Sequence, residues 1–312
     1  MSKQKVVVTG GAGFIGSHIV EAWLERGAEV HIIDNLRTGF MSNVNLFPDA
    51  IFYKGSITDR ELVFKILKDT DYVHHLAAFV SVPESIEKPD ECYDININGL
   101  LNVLDACKEF GIKKIVFSSS AAVYGDNPES PKRITTKTGP KSPYGSTKLE
   151  GENHLKNFHD LHNLGGVSLR YFNVYGPRQN PQSQYAAAVP IFINNAINNK
   201  PVIIYGDGSQ TRDFIFVKDV VEANINAAIN SEINGVFNVA AGSATSIKEL
   251  AQIIIDETNS KSKIEFQDER TGDIKYSLAS IDDTIRDLHF VPKFSLKDGL
   301  KKTIDYYKSK IN

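Results

Sequence analysis

Three consecutive serines, Ser118, Ser119 and Ser120, follow the apolar run Ile112–Phe117, and a Tyr144-x-x-x-Lys148 pair follows in the stretch SPYGSTK. Hydroxyl, phenol and ammonium together can take a proton from an alcohol. A phenol with a pKa near 10 is a poor base at neutral pH, and a cation beside it favours the phenolate. Tyr144 would then be the base, Lys148 the charge that lowers its pKa, and Ser120 the donor that positions the same oxygen. Ser142 suits a helix N-cap and Pro143 the first helical position, which puts Tyr144 in the first turn and Lys148 one turn later on the same face. Spacing alone does not select this pair, because Tyr306 and Lys310 repeat it on what reads as a solvated helix face.

A second constellation lies at residues 8–18, VTGGAGFIGSH. Gly11, Gly13 and Gly16 fit the pattern G-x-G-x-x-G, and Gly10, Gly13 and Gly16 are spaced three apart. The stretch follows a β-branched run and opens a helical one, the context in which glycines let backbone N–H groups approach a pyrophosphate at a helix N-terminus. Asp34 ends the next apolar run, about 20 residues on, where a carboxylate accepts from a ribose diol. It would repel a 2′-phosphate, so NAD is expected rather than NADP. Arg37 is read as a surface arginine. The positive nicotinamide would join Lys148 in favouring the Tyr144 phenolate as hydride leaves the alcohol.

These residues need a scaffold that brings them to one edge. Apolar runs at Lys5–Thr9, Val30–Ile33, Ile51–Tyr53, Tyr72–His75, Lys114–Ser118 and Val167–Tyr171 alternate with helical patterns, including Gly16–Arg26, Glu61–Lys68, Ile97–Phe110 and Tyr144–His162. Such alternation predicts an α/β fold, a Rossmann-like doubly wound parallel sheet whose ligands bind at the carboxyl ends of its strands. The second half is less regular and predicts a smaller α/β substrate domain. Its expected strands are Val202–Tyr205, Phe214–Val217 and Val236–Val239; its expected helices are Val189–Asn198, Lys218–Ile229, Ser246–Glu257 and Leu296–Tyr307. Residues 1–172 with about 213–240 are expected to form the NAD-binding domain, and about 173–212 with 241–312 the substrate-binding one.

The composition narrows the classes. With 312 residues, 41% hydrophobic and 23% charged, the chain matches a globular protein of about two domains. A net charge of -3 shows no basic footprint for nucleic acid. Two cysteines, Cys92 and Cys107, exclude a disulfide framework and a four-cysteine zinc site, and imply a reducing compartment. The histidines of one helix, His154, His159 and His162, lack a third-ligand arrangement, so no metal is expected. No apolar run is long enough for a signal peptide or a membrane span, and a cytoplasmic protein is the expectation.

Taken in order, TGGAGFIG, FSSSAAVYG, SPYGSTK, LRYFNVYGPRQ and TRDFIFVKDV resemble the extended short-chain dehydrogenase/reductase family. Within it the chain is most similar to UDP-hexose 4-epimerases, especially those accepting UDP-N-acetylhexosamines. The resemblance covers nearly the whole chain and implies a tightly held NAD and a homodimer paired through the Asn96–Glu109 and Ser146–His162 helices. It places the cofactor on Gly10, Gly13, Phe14, Ile15, Gly16, Asp34, Asn35, Ser56, Ile57, Leu76, Ala77, Ala78, Asn96, Ser118, Tyr144, Lys148 and Tyr171. It assigns the UDP-sugar to Val82, Ser120, Ala121, Ala122, Tyr144, Asn173, Ala187, Val189, Tyr205, Arg212, Arg270, Asp273 and Ser277. Arg212 and Arg270 match diphosphate-binding arginines, and Asp273 the uridine ribose position.

Two positions bear on which reaction is run. Relatives that dehydrate a 4-keto sugar or decarboxylate a uronate carry acids where this chain has Ala121 and Ala122, and a methyl moves no proton. The keto sugar is then expected to turn over and take hydride back on its other face, which inverts C4; a UDP-glucuronate 4-epimerase and a non-catalytic NAD/UDP-sugar-binding protein are the alternatives. Ser277 falls at the family's pocket-size position, and its small side chain leaves room for an acetamido group. The chain departs from the family at Ser56, where an acid is usual, and at Val80, where many 4-epimerases carry a lysine.

Overall fold

The computed structural model describes residues 3–181, 187–269 and 275–310. Seven parallel strands form the central sheet: β1 (Lys5–Thr9), β2 (Glu29–Asp34), β3 (Ile51–Lys54), β4 (Tyr72–His75), β5 (Lys114–Ser120), β6 (Gly166–Tyr171) and β7 (Gly235–Val239). Their spatial order is β3-β2-β1-β4-β5-β6-β7. The order reverses between β1 and β4, and that switch point opens a crevice at the carboxyl ends of the strands. Inner strands such as Val6–Val8 and Ile115–Phe117 are buried along their length, because helices cover both faces.

One face is packed by the helices Phe14–Glu25 and Val217–Ile229 through Ile19, Val20, Trp23, Val220 and Ala223. The other is covered by Arg60–Leu67, Gly99–Glu109 and Pro143–His162 through Val63, Leu67, Leu100, Leu104 and Leu155. A further core gathers Phe192, Ile193, Phe216, Leu250, Ile254, Leu300 and Ile304 from later elements. Phe14 and Ile15, at the glycine turn, also pack against this third core.

The sequence pattern missed several short pieces. Asn173–Tyr175 pairs in parallel with the expected strand at Phe214–Phe216, and Thr211–Arg212 pairs with Thr245–Ser246. Strands of two or three residues carry too few side chains to show a period. The expected Ile97–Phe110 helix is in fact a π-turn, Asp94–Asn98, running into Gly99–Glu109. No helix among the described residues is long and apolar enough to cross a membrane.

Candidate active site

The chain leaves β1 through Gly10, whose φ of +74° is open to glycine and whose N–H donates to the Ile33 carbonyl at 2.8 Å. A Cβ at Gly10 would lie 2.7 Å from the Ala77 nitrogen, and one at Gly16 would lie 2.2 Å from the Gly10 oxygen. The helix Phe14–Glu25 starts from Gly13 without a side-chain cap, which leaves the N–H groups of its first turn to an anion. Above this turn is a cavity of about 840 Å³. It is lined by Gly10, Gly13, Phe14, Ile15, Gly16, Asp34, Asn35, Ser56, Ile57, Leu76, Ala77, Ala78, Ser118, Tyr144, Lys148 and Tyr171. A glycine cradle, an uncapped helix start and a buried carboxylate fit a dinucleotide in both shape and charge.

Asp34 accepts from the Ala12 and Leu36 N–H groups at 3.0 and 2.7 Å. Burial pushes its pKa up, and the two amides act against that. Arg37 is the surface arginine expected, and it is paired. Its guanidinium donates to Glu84 at 2.8 Å, also bonds Glu91, and lies 4.3 Å from the centre of the Phe79 ring. Asp59 caps the helix Arg60–Leu67, accepting from Leu62 at 3.0 Å.

At the other end Ser142 caps the helix Pro143–His162 by accepting from Gly145 at 3.1 Å. This sets Tyr144 and Lys148 against the end of β5. Ser120, whose Oγ accepts from the Ala122 N–H at 3.2 Å, stands close enough to the Tyr144 phenol to favour its anion. Lys148 donates to the Ser118 carbonyl at 2.7 Å, with its Nζ 5.7 Å from the Tyr144 ring centre. Burial lowers the Lys148 pKa to about 8, with Cys92 and Glu152 opposing.

In the protein alone burial raises the Tyr144 pKa, and the nearby Ser120 hydroxyl acts against that. The ammonium is aimed at a carbonyl rather than at the phenol, so desolvation wins.

Two residues stand elsewhere than expected. Asn96 is buried beside the cavity, and its amide is spent on the chain: Nδ2 donates to Thr147 Oγ1 at 2.9 Å and the Phe79 carbonyl at 3.2 Å, while Oδ1 accepts from the Phe79 N–H at 2.7 Å. The Val189 side chain is 1% exposed and packs in the third core.

Of the remaining substrate positions, Ala187 lines the cavity. Ala121 and Ala122 are half-buried in the turn Ala121–Tyr124, and Val82 opens the helix Val82–Glu87. Asn173 begins a short strand, its N–H donating to the Asp213 carbonyl at 3.0 Å. The half-buried Ser277 donates its N–H to the Thr211 carbonyl at 3.2 Å, which places it one strand across from Arg212. Tyr205 lines a separate cavity of about 220 Å³ with Gly206, Asp207, Ser209, Gln210, Glu269 and Lys275. Arg270 and Asp273 lie outside the described residues.

The sequence reading missed Asp213. It is fully buried and accepts from the Ala241, Gly242 and Ala279 N–H groups at 2.8, 3.1 and 3.2 Å, so it ties two loops to the strand of Arg212. Burial raises its pKa to about 6. It also missed Glu152, one turn beyond Lys148, which accepts from Arg170 at 2.6 and 2.9 Å and from Ser119. An acid adjoining each motif was the available signal.

Comparison with known proteins agrees with this geometry. Residues 6–240 match the model of the NAD dependent epimerase/dehydratase family. A UDP-N-acetylglucosamine 4-epimerase from Methanobrevibacter ruminantium, solved with UDP-N-acetylmuramic acid, is 45% identical with a TM-score of 0.94, over 99% of this chain and 100% of that one. A UDP-glucose 4-epimerase from Thermotoga maritima, solved with UDP-glucose, is 37% identical with a TM-score of 0.95, over 99% and 100%. The UDP-glucose 4-epimerase of Mycolicibacterium smegmatis is 33% identical over 98% of this chain and 99% of its own length.

Proposed function

This chain belongs to the NAD-dependent epimerase/dehydratase family, and from that premise we propose that it inverts C4 of UDP-hexoses, both UDP-GlcNAc/UDP-GalNAc and UDP-glucose/UDP-galactose. The observation that carries the reading is the Tyr144–Lys148 pair at the cavity wall, with Ser120 beside Tyr144 and two alanines where a dehydratase or decarboxylase needs an acid. When bound, NAD supplies the reversible acceptance of a hydride from the sugar carbon.

The protein's part is proton handling and orientation. Ser120 holds the 4-hydroxyl against the Tyr144 oxygen, and Tyr144 takes the hydroxyl proton and later returns it. The Lys148 ammonium favours the tyrosine anion, and its bond to the Ser118 carbonyl fixes where that charge sits. Ala121 and Ala122 offer no group to move a proton at C5 or to help carbon dioxide leave. The keto sugar is left to rotate and be reduced on its opposite face. Arg212 would pair the diphosphate. The small Ser277, across from it, supports a pocket with room for an acetamido group, as does the 45% identity to an enzyme named for UDP-N-acetylglucosamine. The same reading pairs two copies through the helices Gly99–Glu109 and Pro143–His162.

A proton NMR time course with UDP-GlcNAc in D2O and no added cofactor tests this. UDP-GalNAc without deuterium at C4 is the expected product. No conversion of UDP-GlcNAc with conversion of UDP-glucose removes the N-acetyl claim. Turnover of UDP-glucuronate alone moves the reading to a uronate epimerase, and silence with all three removes the epimerase itself.

A further inference from the structure

We propose that Glu84 and Glu91 are determinants of cofactor choice, acting by occupying the guanidinium of Arg37, which lines the cavity beside Asp34. This rests on the reading of the large cavity as a dinucleotide site. Arg37 follows Asp34 by three residues, on the loop that walls the ribose end of that cavity. An arginine near the carboxylate that ends β2 is the group that would accept a 2′-phosphate. Asp34 alone therefore does not settle the choice; what Arg37 is doing decides it.

Here the guanidinium is committed on three sides. Nη2 donates to Glu84 at 2.8 Å and to the second Glu91 oxygen at 3.5 Å, and Nη1 bonds the first Glu91 oxygen. Its carbon lies 4.3 Å from the centre of the Phe79 ring. That ring is fixed in turn, because Asn96 bonds both the N–H and the carbonyl of Phe79. Lys88 bonds Glu84 at 3.2 Å and keeps that carboxylate in place. A 2′-phosphate would have to displace two carboxylates from Arg37 while facing Asp34, whereas a free 2′-hydroxyl needs only an acceptor. Asn96 thus seats the residue whose ring Arg37 covers.

The test is a competition for the site on purified protein, without any turnover. Each protein is exchanged into an equimolar excess of NAD and NADP, desalted, and the retained dinucleotides are quantified. Wild type is expected to retain NADP at about a hundredth of NAD or less. Asp34→Ser raises that ratio modestly, because Arg37 stays held. Asp34→Ser with Glu84→Gln and Glu91→Gln raises it about tenfold further, the size of two surface ion pairs. Adding Arg37→Ala to that triple variant returns the ratio to the Asp34→Ser level. Asp34→Ser with Glu91→Gln alone gives about a threefold rise and serves if the triple variant melts early. A triple variant no better than Asp34→Ser, or a gain that survives Arg37→Ala, overturns the inference while leaving the epimerase reading intact. A wild-type protein that retains neither dinucleotide overturns both.

Discussion

At the scale of single residues, the site is set by where each side chain's charge is favoured, and that is a sum over neighbours. Tyr144 is the proposed base, so Tyr144→Phe should cut turnover by about a hundred- to ten-thousand-fold with dinucleotide retention unchanged. Retained turnover would remove Tyr144 from the chemistry. Lys148 acts through its charge, and its pKa of about 8 leaves it cationic at neutral pH. Removing a cation raises the pKa of a neighbouring phenol. In Lys148→Met the acid limb of the kcat profile should therefore move to higher pH, by about one unit or more. A limb that stays put would make Lys148 a purely structural residue. The sequence disclosed these side chains because their motif fixes type and spacing together. It did not disclose the upward shift of Tyr144, which comes from burial beneath segments distant in the chain. Nor did it show that Val189 points into a core, since an apolar residue at a helix start suits either a pocket or a core.

At the scale of elements, the glycine turn and the Pro143–His162 helix carry the two ends of the site, and both depend on close packing. Gly16 has no room for a methyl, since the Gly10 carbonyl stands 2.2 Å from where a Cβ would go. Gly16→Ala should shift the turn, cost about 1–3 kcal/mol and abolish dinucleotide retention. Urea unfolding and the retention measurement together check it, and a variant that binds normally would refute the cradle. The helix is held to the sheet by a buried polar group: Glu152 pairs with Arg170 and accepts from Ser119, while Arg170 also donates to Tyr124 at 2.9 Å. Arg170→Met would strand the Glu152 carboxylate in the interior, and a loss of about 3–5 kcal/mol is expected. Replacing both, as Arg170→Met with Glu152→Leu, should cost less than that single change, because no charge is then left unpaired. If the double variant is the less stable, the pair contributes more than mutual neutralisation. Helix and strand positions were legible because their periods run for whole turns. The π-turn Asp94–Asn98 was not, since it leaves no mark in the apolar spacing.

At the scale of the whole molecule, the doubly wound order follows from simple alternation of strands and helices, and that much was legible before any coordinates. The short pairings Asn173–Tyr175 with Phe214–Phe216 and Thr211–Arg212 with Thr245–Ser246 were not, because contacts between distant segments define them rather than any local pattern. Covering both faces of the sheet has a further consequence. It encloses His74 and His75 on β4, where burial depresses their pKa values to about 4 and about 3. The unfolded imidazoles titrate near 6.5, so the stability these residues supply as neutral groups is present above pH 6.5 and is lost as pH falls toward their folded values. At pH 5 the unfolded chain gains roughly 2 kcal/mol from protonating each, about 4 kcal/mol in all. Asp213 works the other way: its raised pKa of about 6 lets the folded state take up a proton first and returns roughly 1 kcal/mol at that pH. Net destabilisation between pH 7 and pH 5 should follow. The Trp23 indole donates to His74 Nε2 at 2.8 Å, and Thr9 bonds His75 Nδ1 at 3.0 Å, so glutamine at either site keeps a polar partner without a titrating ring. Urea denaturation of wild type, His74→Gln and His75→Gln at both pH values should show the pH-dependent loss shrinking by roughly 2 kcal/mol per histidine replaced. Equal losses in all three proteins would place the acid sensitivity outside the sheet.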